Sequence, residues 1–228
     1  MPDSVVVDRV VEELGGDGAV VSPATGRDDG SVWVLSLRPV RVGRFSIVPA
    51  GAASSSDDAI HLIDGPAFGT GLHPTTAMCL ELLDECLDIA IPETVLDVGT
   101  GSGVLAIAAL VRGVERAVGL DVDAGALEIA AENARLNQVE RRLELVHGGP
   151  SGVHGRWPLV LANIVAAPLM EMAPALVRRT GHAGQLMLSG IPSAVTAEVE
   201  QIYRRLGMRL ARTETRGGWS ALVLQASW

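Results

Sequence analysis

One segment, VLDVGTGSGVLAIAAL from Val95 to Leu110, constrains the fold of this chain more than any other. An apolar strand runs into a turn with a glycine at every second position, and an apolar helix follows. Glycines let the backbone approach a ligand closely, and the N-terminus of the next helix favours negatively charged groups. The next predicted strand ends in Asp121, whose carboxylate can accept hydrogen bonds from a ribose diol. The sequence therefore predicts an α/β fold that binds a nucleoside derivative outside the carboxyl ends of its strands.

Strands and helices alternate from Ile60 to the C-terminus, which is typical of a mostly parallel sheet covered by helices on both faces. The pattern predicts helices over 74–88, 104–111, 124–136, 168–179 and, after a Ser193 cap, up to 206. It predicts seven strands, over 94–98, 116–120, 143–147, 159–162, 185–188, 208–212 and 220–225. Two short strands, around 31–37 and 44–48, precede a small polar run, Gly51–Asp58. We therefore divide the chain into an N-terminal extension with its loop, 1–59, and a main domain, 60–228.

The composition excludes several classes of protein. The chain carries 18 basic residues and none of them is lysine, so pyridoxal-phosphate enzymes, Schiff-base aldolases, protein kinases and Walker-type phosphate loops are excluded. A net charge of −9 and 3% aromatic residues argue against direct binding of nucleic acid. A nicotinamide-dependent oxidoreductase is disfavoured, because Val104 stands where the dinucleotide fingerprint has its third glycine. That alternative stays open on this evidence alone.

The sequence also gives an expected compartment. The longest aliphatic run, Val104–Val111, is far shorter than the roughly 20 residues that a membrane-spanning helix needs. Cys79 and Cys86 fall on one face of a predicted helix, which favours reduced core thiols over a disulfide. No Cys or His pair has the spacing of zinc ligands. We therefore expect a cytoplasmic protein that holds no metal and does not enter a membrane.

A second motif, AFGTGLHPTTAMCLELL, spans Ala67 to Leu83. It places Thr70, His73, Thr75 and Thr76 around glycines at the start of a helix. Hydroxyls and free backbone amides at such a place can hold a carboxylate. The alternative interpretation is a helix cap with a preceding turn.

A third motif, VLANIVAAPL from Val160 to Leu169, places Asn163 just after the fourth strand of the main domain. That position borders the expected ligand crevice. The carbonyl oxygen of an asparagine amide can accept a hydrogen bond from a substrate amine and so orient its lone pair. The alternative is a cap or turn residue.

Together these segments resemble the ribosomal protein L11 methyltransferase (PrmA) family. The shared stretches are AFGTG-x-HPTT, DVG-x-GSG-x-LAIAA, a G-x-D-x-D strand end, ANI-x-A-x-PL, LSGI and the C-terminal GGWSALV. The resemblance runs from about Val42 to the end of the chain. It implies a Rossmann-like, seven-stranded S-adenosylmethionine-dependent methyltransferase fold with a short N-terminal β extension.

The resemblance also implies roles for particular residues. Contacts with S-adenosylmethionine, or orientation of the amine, fall to Thr76, Gly99, Asp121 and Asn163, with Thr70 and Gly101 close by. Asp121 would hold the ribose, and Asn163 would line the methyl-transfer site as the candidate catalytic residue. Family members methylate α-amino and lysine ε-amino groups of a ribosomal protein, which implies a protein amine as the substrate.

Three features depart from the family pattern. Only about 40 residues precede the matching region, where family members have a longer recognition domain, so we expect a substrate different from, or broader than, the ribosomal protein. Pro158-Leu159 stands where the family strand begins with an aspartate. The loop GGPSG, 148–152, lacks the acidic residue that many methyltransferases place near the adenine. The alternatives are a small-molecule N- or O-methyltransferase and a non-catalytic protein with the same fold.

Overall fold

The computed structural model describes residues 20–23, 33–36, 39–52, 54, 56, 58–63 and 73–228 of the chain. The strands within these residues are β1 (Val20–Pro23), β2 (Trp33–Ser36), β3 (Val40–Val42), β4 (Phe45–Pro49), β5 (Ala59–Leu62), β6 (Thr94–Val98), β7 (Arg116–Asp121), β8 (Leu143–His147), β9 (Trp157–Asn163), β10 (Thr180–Pro192), β11 (Met208–Arg216) and β12 (Trp219–Ala226). The helices are α1 (Pro74–Ile89), α2 (Val104–Val111), α3 (Ala124–Leu136), α4 (Ala166–Glu171), α5 (Ala173–Arg179) and α6 (Thr196–Arg205).

A seven-stranded sheet in the order β11-β12-β10-β9-β6-β7-β8 forms the centre of the main domain. The five strands from β10 to β8 pair in parallel, and β12 is antiparallel to both of its neighbours. The chain runs outward from β6 to β8 and then crosses back to β9, so the direction of winding reverses between β6 and β9. In open α/β sheets, ligands bind at the carboxyl ends of the strands at such a reversal. The predicted fold, a mostly parallel seven-stranded sheet, is confirmed.

Apolar residues on both faces of the sheet explain why the helices lie where they do. Helix α2 is apolar all round, and its residues from Val104 to Leu110 are all buried, as expected of a helix that is covered on every side. One core cluster joins α1 and α2 to the sheet, and a second joins α4, α5 and α6 to its other face. Asp123 caps α3 through a hydrogen bond from the Gly125 N–H, as its position predicts.

A small sheet, β3-β4-β5, packs on the main domain. Its residues Phe45, Ile47 and Ile60 are fully buried in the same core cluster as α1 and α2. Arg44 pairs with Asp84 of α1 at 3.3 Å and so joins the turn before β4 to that helix. The strands predicted around 31–37 and 44–48 correspond to β2 and β4, whereas β1, β3 and β5 were not predicted. β5 continues the small sheet beyond residue 59, and the domain boundary proposed there stays a prediction.

Two predicted helices differ in the structure. The helix predicted over 168–179 is two helices that meet at Met172, because Pro174 has no N–H with which to continue the hydrogen bonds of the first helix. The helix predicted to follow a Ser193 cap instead begins at Thr196, after a short 3₁₀ turn. Among the described residues, no helix has both the length and the apolar character to cross a membrane.

Candidate active site

A cavity of about 530 Å³ opens at the carboxyl ends of β6, β7 and β9, where the winding of the sheet reverses. Sites for small molecules commonly have volumes of roughly 300–1,000 Å³. All three sequence motifs contribute to this cavity. Its walls include residues from α1, from the ends of the central strands and from the start of β12, among them His73, Thr75, Gly99, Gly101, Asp121, Gly148, Gly149, Asn163, Pro168 and Trp219.

Two glycines at the floor of the cavity pack tightly against Ile164. Gly99 has φ 72°, and a Cβ added there would lie 2.3 Å from the side chain of Ile164. Gly190, in the LSGI segment of β10, has φ 82°, and its Cβ would lie 2.3 Å from the carbonyl oxygen of Ile164. Both positions therefore require glycine for conformation and for space. The need for Gly190 comes from a contact across the sheet, and its only sequence signal was the family resemblance.

Asp121 is the last residue of β7, and its carboxylate is oriented by two backbone N–H groups. Oδ2 accepts a hydrogen bond from Gly101 N–H at 2.9 Å, and Oδ1 accepts one from Asp123 N–H at 3.0 Å. A carboxylate has about four acceptor positions, so each oxygen can accept a further bond. Asp121 lines the cavity and so presents two fixed acceptors to a ligand with a pair of hydroxyls.

Asn163 ends β9 and is almost entirely buried. The residue is 8% exposed, and Nδ2 donates to Thr76 Oγ1 at 3.2 Å. The amide carbonyl oxygen Oδ1 is buried and makes no hydrogen bond with any residue that the structure describes. An unsatisfied buried acceptor needs an explanation, and a ligand in the cavity that Asn163 lines can supply the donor. Thr76 is fully buried behind Asn163, so in this structure it orients the amide and does not line the cavity.

One wall of the cavity is aromatic. His73 caps α1, accepting a hydrogen bond from Thr75 N–H through Nδ1, and its ring meets that of Trp219 edge to face at 5.2 Å. Burial lowers the pKa of His73, which favours the neutral imidazole. The sequence gives no sign that Trp219 lines the cavity, because its partner His73 lies far away along the chain.

Asp97, on β6, is hydrogen-bonded to the glycine turn that follows this strand. It is fully buried on β6, and Oδ2 accepts a hydrogen bond from Thr100 Oγ1 at 2.7 Å. Burial raises the pKa of Asp97 to about 6, and the nearby charge of Asp121 acts in the same direction.

Four of the six residues predicted to contact the cofactor line the cavity. Gly99, Gly101, Asp121 and Asn163 all line the one cavity, while Thr70 lies outside the described residues. Gly148 and Gly149 form the wall beyond Asp121, and two exposed apolar side chains, Val122 and Val165, stand at the rim. The contacts of these residues with a cofactor remain predictions.

Curated relatives share much of the sequence. A ribosomal protein L11 methyltransferase of Geobacter sulfurreducens is 42% identical over 195 residues, which are 84% of this chain and 64% of that protein. One of Pelobacter propionicus is 38% identical over an alignment 231 residues long, which covers 95% of this chain and 74% of that protein. The chain thus spans about two thirds of the length of these relatives.

Solved structures agree with the fold. A ribosomal protein L11 methylase of Lactobacillus delbrueckii subsp. bulgaricus superposes with a TM-score of 0.76 at 29% identity, covering 83% of this chain and 99% of that one. An O-methyltransferase of Bacillus cereus, crystallised with S-adenosylhomocysteine, matches with a TM-score of 0.54 at 13% identity over 66% of this chain and 81% of that one, a likeness of fold alone.

The family model described as ribosomal protein L11 methyltransferase (PrmA) matches residues 21–227, an earlier start than the motifs from Val42 indicate. Since that match takes in nearly the whole sequence, the chain belongs to the ribosomal protein L11 methyltransferase (PrmA) family.

Proposed function

We propose that this chain is an S-adenosylmethionine-dependent N-methyltransferase that acts on amino groups of a protein. Ribosomal protein L11, which the relatives are named for, is the first substrate to test. The observation that carries the proposal is the buried Oδ1 of Asn163, which has no hydrogen-bond partner among the described residues, beside a cavity that Asn163 and Asp121 both line. A cytoplasmic location belongs to the same proposal, because ribosomal proteins are made and assembled there.

The residues present fit the cofactor. The ribose diol of S-adenosylmethionine needs two acceptors, and both oxygens of Asp121 retain free acceptor positions. Gly99 and Gly101 place no side chain of their own in the cavity, which lets a ligand approach the backbone closely. A cavity of about 530 Å³ suits a nucleoside with an amino-acid tail.

Bound S-adenosylmethionine supplies an electrophilic methyl group on a sulfonium sulfur. The task of the protein is then to align a neutral amine with that group. Asn163 Oδ1 accepts a hydrogen bond from an amine N–H, which directs the nitrogen lone pair away from Asn163. Thr76 accepts a hydrogen bond from the amide nitrogen, which leaves the amide oxygen as the atom that can accept from the substrate. An amide is not a base, so the amine loses its proton to solvent before it reacts.

The proposal is tested by methyl transfer from labelled S-adenosylmethionine to purified ribosomal protein L11, to a panel of other proteins and to small amines. We expect the label on protein amines, with Asn163→Ala as the matched variant that loses turnover. Because the chain has no lysine, labelled lysine cannot come from the enzyme itself. Label on small amines alone would favour a small-molecule methyltransferase, and no label on any amine would refute the proposed reaction.

A further inference from the structure

A pair of asparagines on α3 and at its end lies outside the cavity and connects two parts of the fold. Asn133 is fully buried, and its amide makes one hydrogen bond with each of two separate segments. Oδ1 accepts from Ile63 N–H at 2.8 Å, just after β5. Nδ2 donates to the Ser102 carbonyl oxygen at 2.8 Å, in the glycine turn after β6. One planar group thus holds the end of the small sheet and the turn together.

Asn137, one helical turn further along the chain, provides an internal comparison. Its Oδ1 accepts from His61 N–H at 2.8 Å, and its Nδ2 donates to the His61 carbonyl oxygen at 2.7 Å. Nδ2 also lies 2.7 Å from the carbonyl oxygen of Asn133. Asn137 therefore binds the β5 segment as Asn133 does, but its hydrogen bonds do not reach the glycine turn.

Ser102 stands between two glycines on which the cavity depends. On one side, Gly101 N–H donates to the Asp121 carboxylate. On the other, Gly103 is the N-cap of α2 and lies so close to α3 that an added Cβ would be 3.2 Å from Ala130 Cβ. Asn133 of α3 holds the Ser102 carbonyl by a hydrogen bond. A shift of that carbonyl would move the Gly101 N–H relative to Asp121.

We propose that Asn133 is a positioning residue for the cofactor, which acts by fixing the glycine turn and by coupling it to the end of β5. Its amide presents a donor to one segment and an acceptor to the other, which neither a carboxylate nor an apolar side chain can do. Removing it takes one hydrogen bond from the Ser102 carbonyl and one from the Ile63 N–H. Coupling between two sites is reciprocal, so a ligand that orders the turn also stabilises the contact with Ile63.

The first experiment compares Asn133→Ala with Asn137→Ala by calorimetric titration with S-adenosylhomocysteine and by steady-state kinetics. We expect Asn133→Ala to raise Kd about tenfold, since a tenfold change corresponds to about 1.4 kcal/mol, the size of one net hydrogen bond. The KM for S-adenosylmethionine should rise with it while kcat changes less. Asn137→Ala should lower thermal stability to a similar degree and leave Kd unchanged. Equal Kd values for the two variants would overturn the proposal.

The second experiment uses the wild-type protein and so does not depend on the folding of a variant. Hydrogen exchange is followed at two backbone amides of the β5 region, with and without S-adenosylhomocysteine. Exchange at Ile63, bonded to Asn133, should slow more than exchange at His61, bonded to Asn137. No slowing at Ile63, or equal slowing at both amides, would overturn the coupling.

This inference rests on the proposed cofactor site, and Asp121→Ala separates the two. If Asp121→Ala weakens binding of S-adenosylhomocysteine and Asn133→Ala does not, only the role of Asn133 is wrong. If neither variant changes Kd, the cofactor site is misplaced and both proposals fail.

Discussion

The buried carboxyl group of Asp97 makes folding stability depend on pH in a direction opposite to that of most acidic residues. Its pKa rises from an ordinary value of 3.8 to about 6 in the folded protein, because burial disfavours the charged form. A raised folded pKa means that the folded state holds the proton more tightly than the unfolded state. The contribution to stability is therefore fully present below pH 3.8 and is lost as the pH rises to about 6.

The perturbation that isolates this effect is Asp97→Asn, which keeps the shape and an acceptor for Thr100 Oγ1 but cannot ionise. A difference of about two pKa units corresponds to about 3 kcal/mol, of which about 2 kcal/mol is lost between about pH 4 and pH 7. We expect the free energy of unfolding of the variant, relative to wild type, to increase by that amount over this range. Titrating groups that do not interact with Asp97 are common to both proteins and cancel in the comparison.

Urea unfolding of both proteins at half-unit steps from about pH 4 to pH 8 measures the difference. Thr100→Val gives an independent check, because the Thr100 hydroxyl stabilises the carboxylate and lowers its pKa. Loss of that hydroxyl should shift the stability change to higher pH. A difference between Asp97→Asn and wild type that stays constant with pH would refute the reasoning.

Three further predictions concern the cavity. Asp121→Ala should weaken binding of S-adenosylmethionine at least tenfold in calorimetry, since hydrogen bonds to a charged group contribute about 1.5–3 kcal/mol each; unchanged affinity in a folded variant would contradict the ribose assignment. Asn163→Ala should lower kcat with a much smaller effect on cofactor affinity, and wild-type turnover would remove Asn163 from the reaction. Gly190→Ala should destabilise the fold far more than Gly218→Ala in thermal unfolding. Both glycines have φ near 80°, but only at Gly190 would a Cβ meet backbone, the carbonyl of Ile164, whereas at Gly218 it meets nothing within 4 Å.

The sequence predicts best what depends on neighbouring residues along the chain. The strand, glycine turn and helix around Gly99 are encoded within one short segment, and Asp121 and Asn163 each follow an apolar strand. Parallel strands bring their carboxyl ends to one edge, so their convergence in one cavity follows from local patterns. Pro174 also marks the break before α5 locally, but the apolar pattern continues past it and predicts one helix.

Contacts between distant segments could not be predicted in this way. Trp219 meets His73, and Asn133 meets Ile63, only after the whole domain has folded. β5 is a short strand that pairs in parallel with β4, and its segment is also bonded to the side chains of Asn133 and Asn137. A parallel pair is not closed by a tight turn, so the sequence carries no turn signal for this pairing. The need for glycine at position 190 arises from the backbone of Ile164, just after a neighbouring strand. For these residues the three-dimensional arrangement, not residue type or spacing, decides the role.

The hydrogen bonds that join Asn133 and Asn137 to the β5 segment affect the order in which the chain folds. The two hydrogen bonds between Asn137 and His61 span 76 residues, and the one that Ile63 N–H donates to Asn133 Oδ1 spans 70. During synthesis β5 leaves the ribosome well before α3 exists, so the outer edge of the small sheet first meets water. The antiparallel pair β3 and β4 closes over a very short loop, whereas the far side of β5 has to wait for the central strands and the third helix. Nascent chains that end before residue 124 should therefore exchange their His61 and Ile63 amides rapidly, and the small sheet becomes complete only when the nucleoside-binding half of the domain is in place.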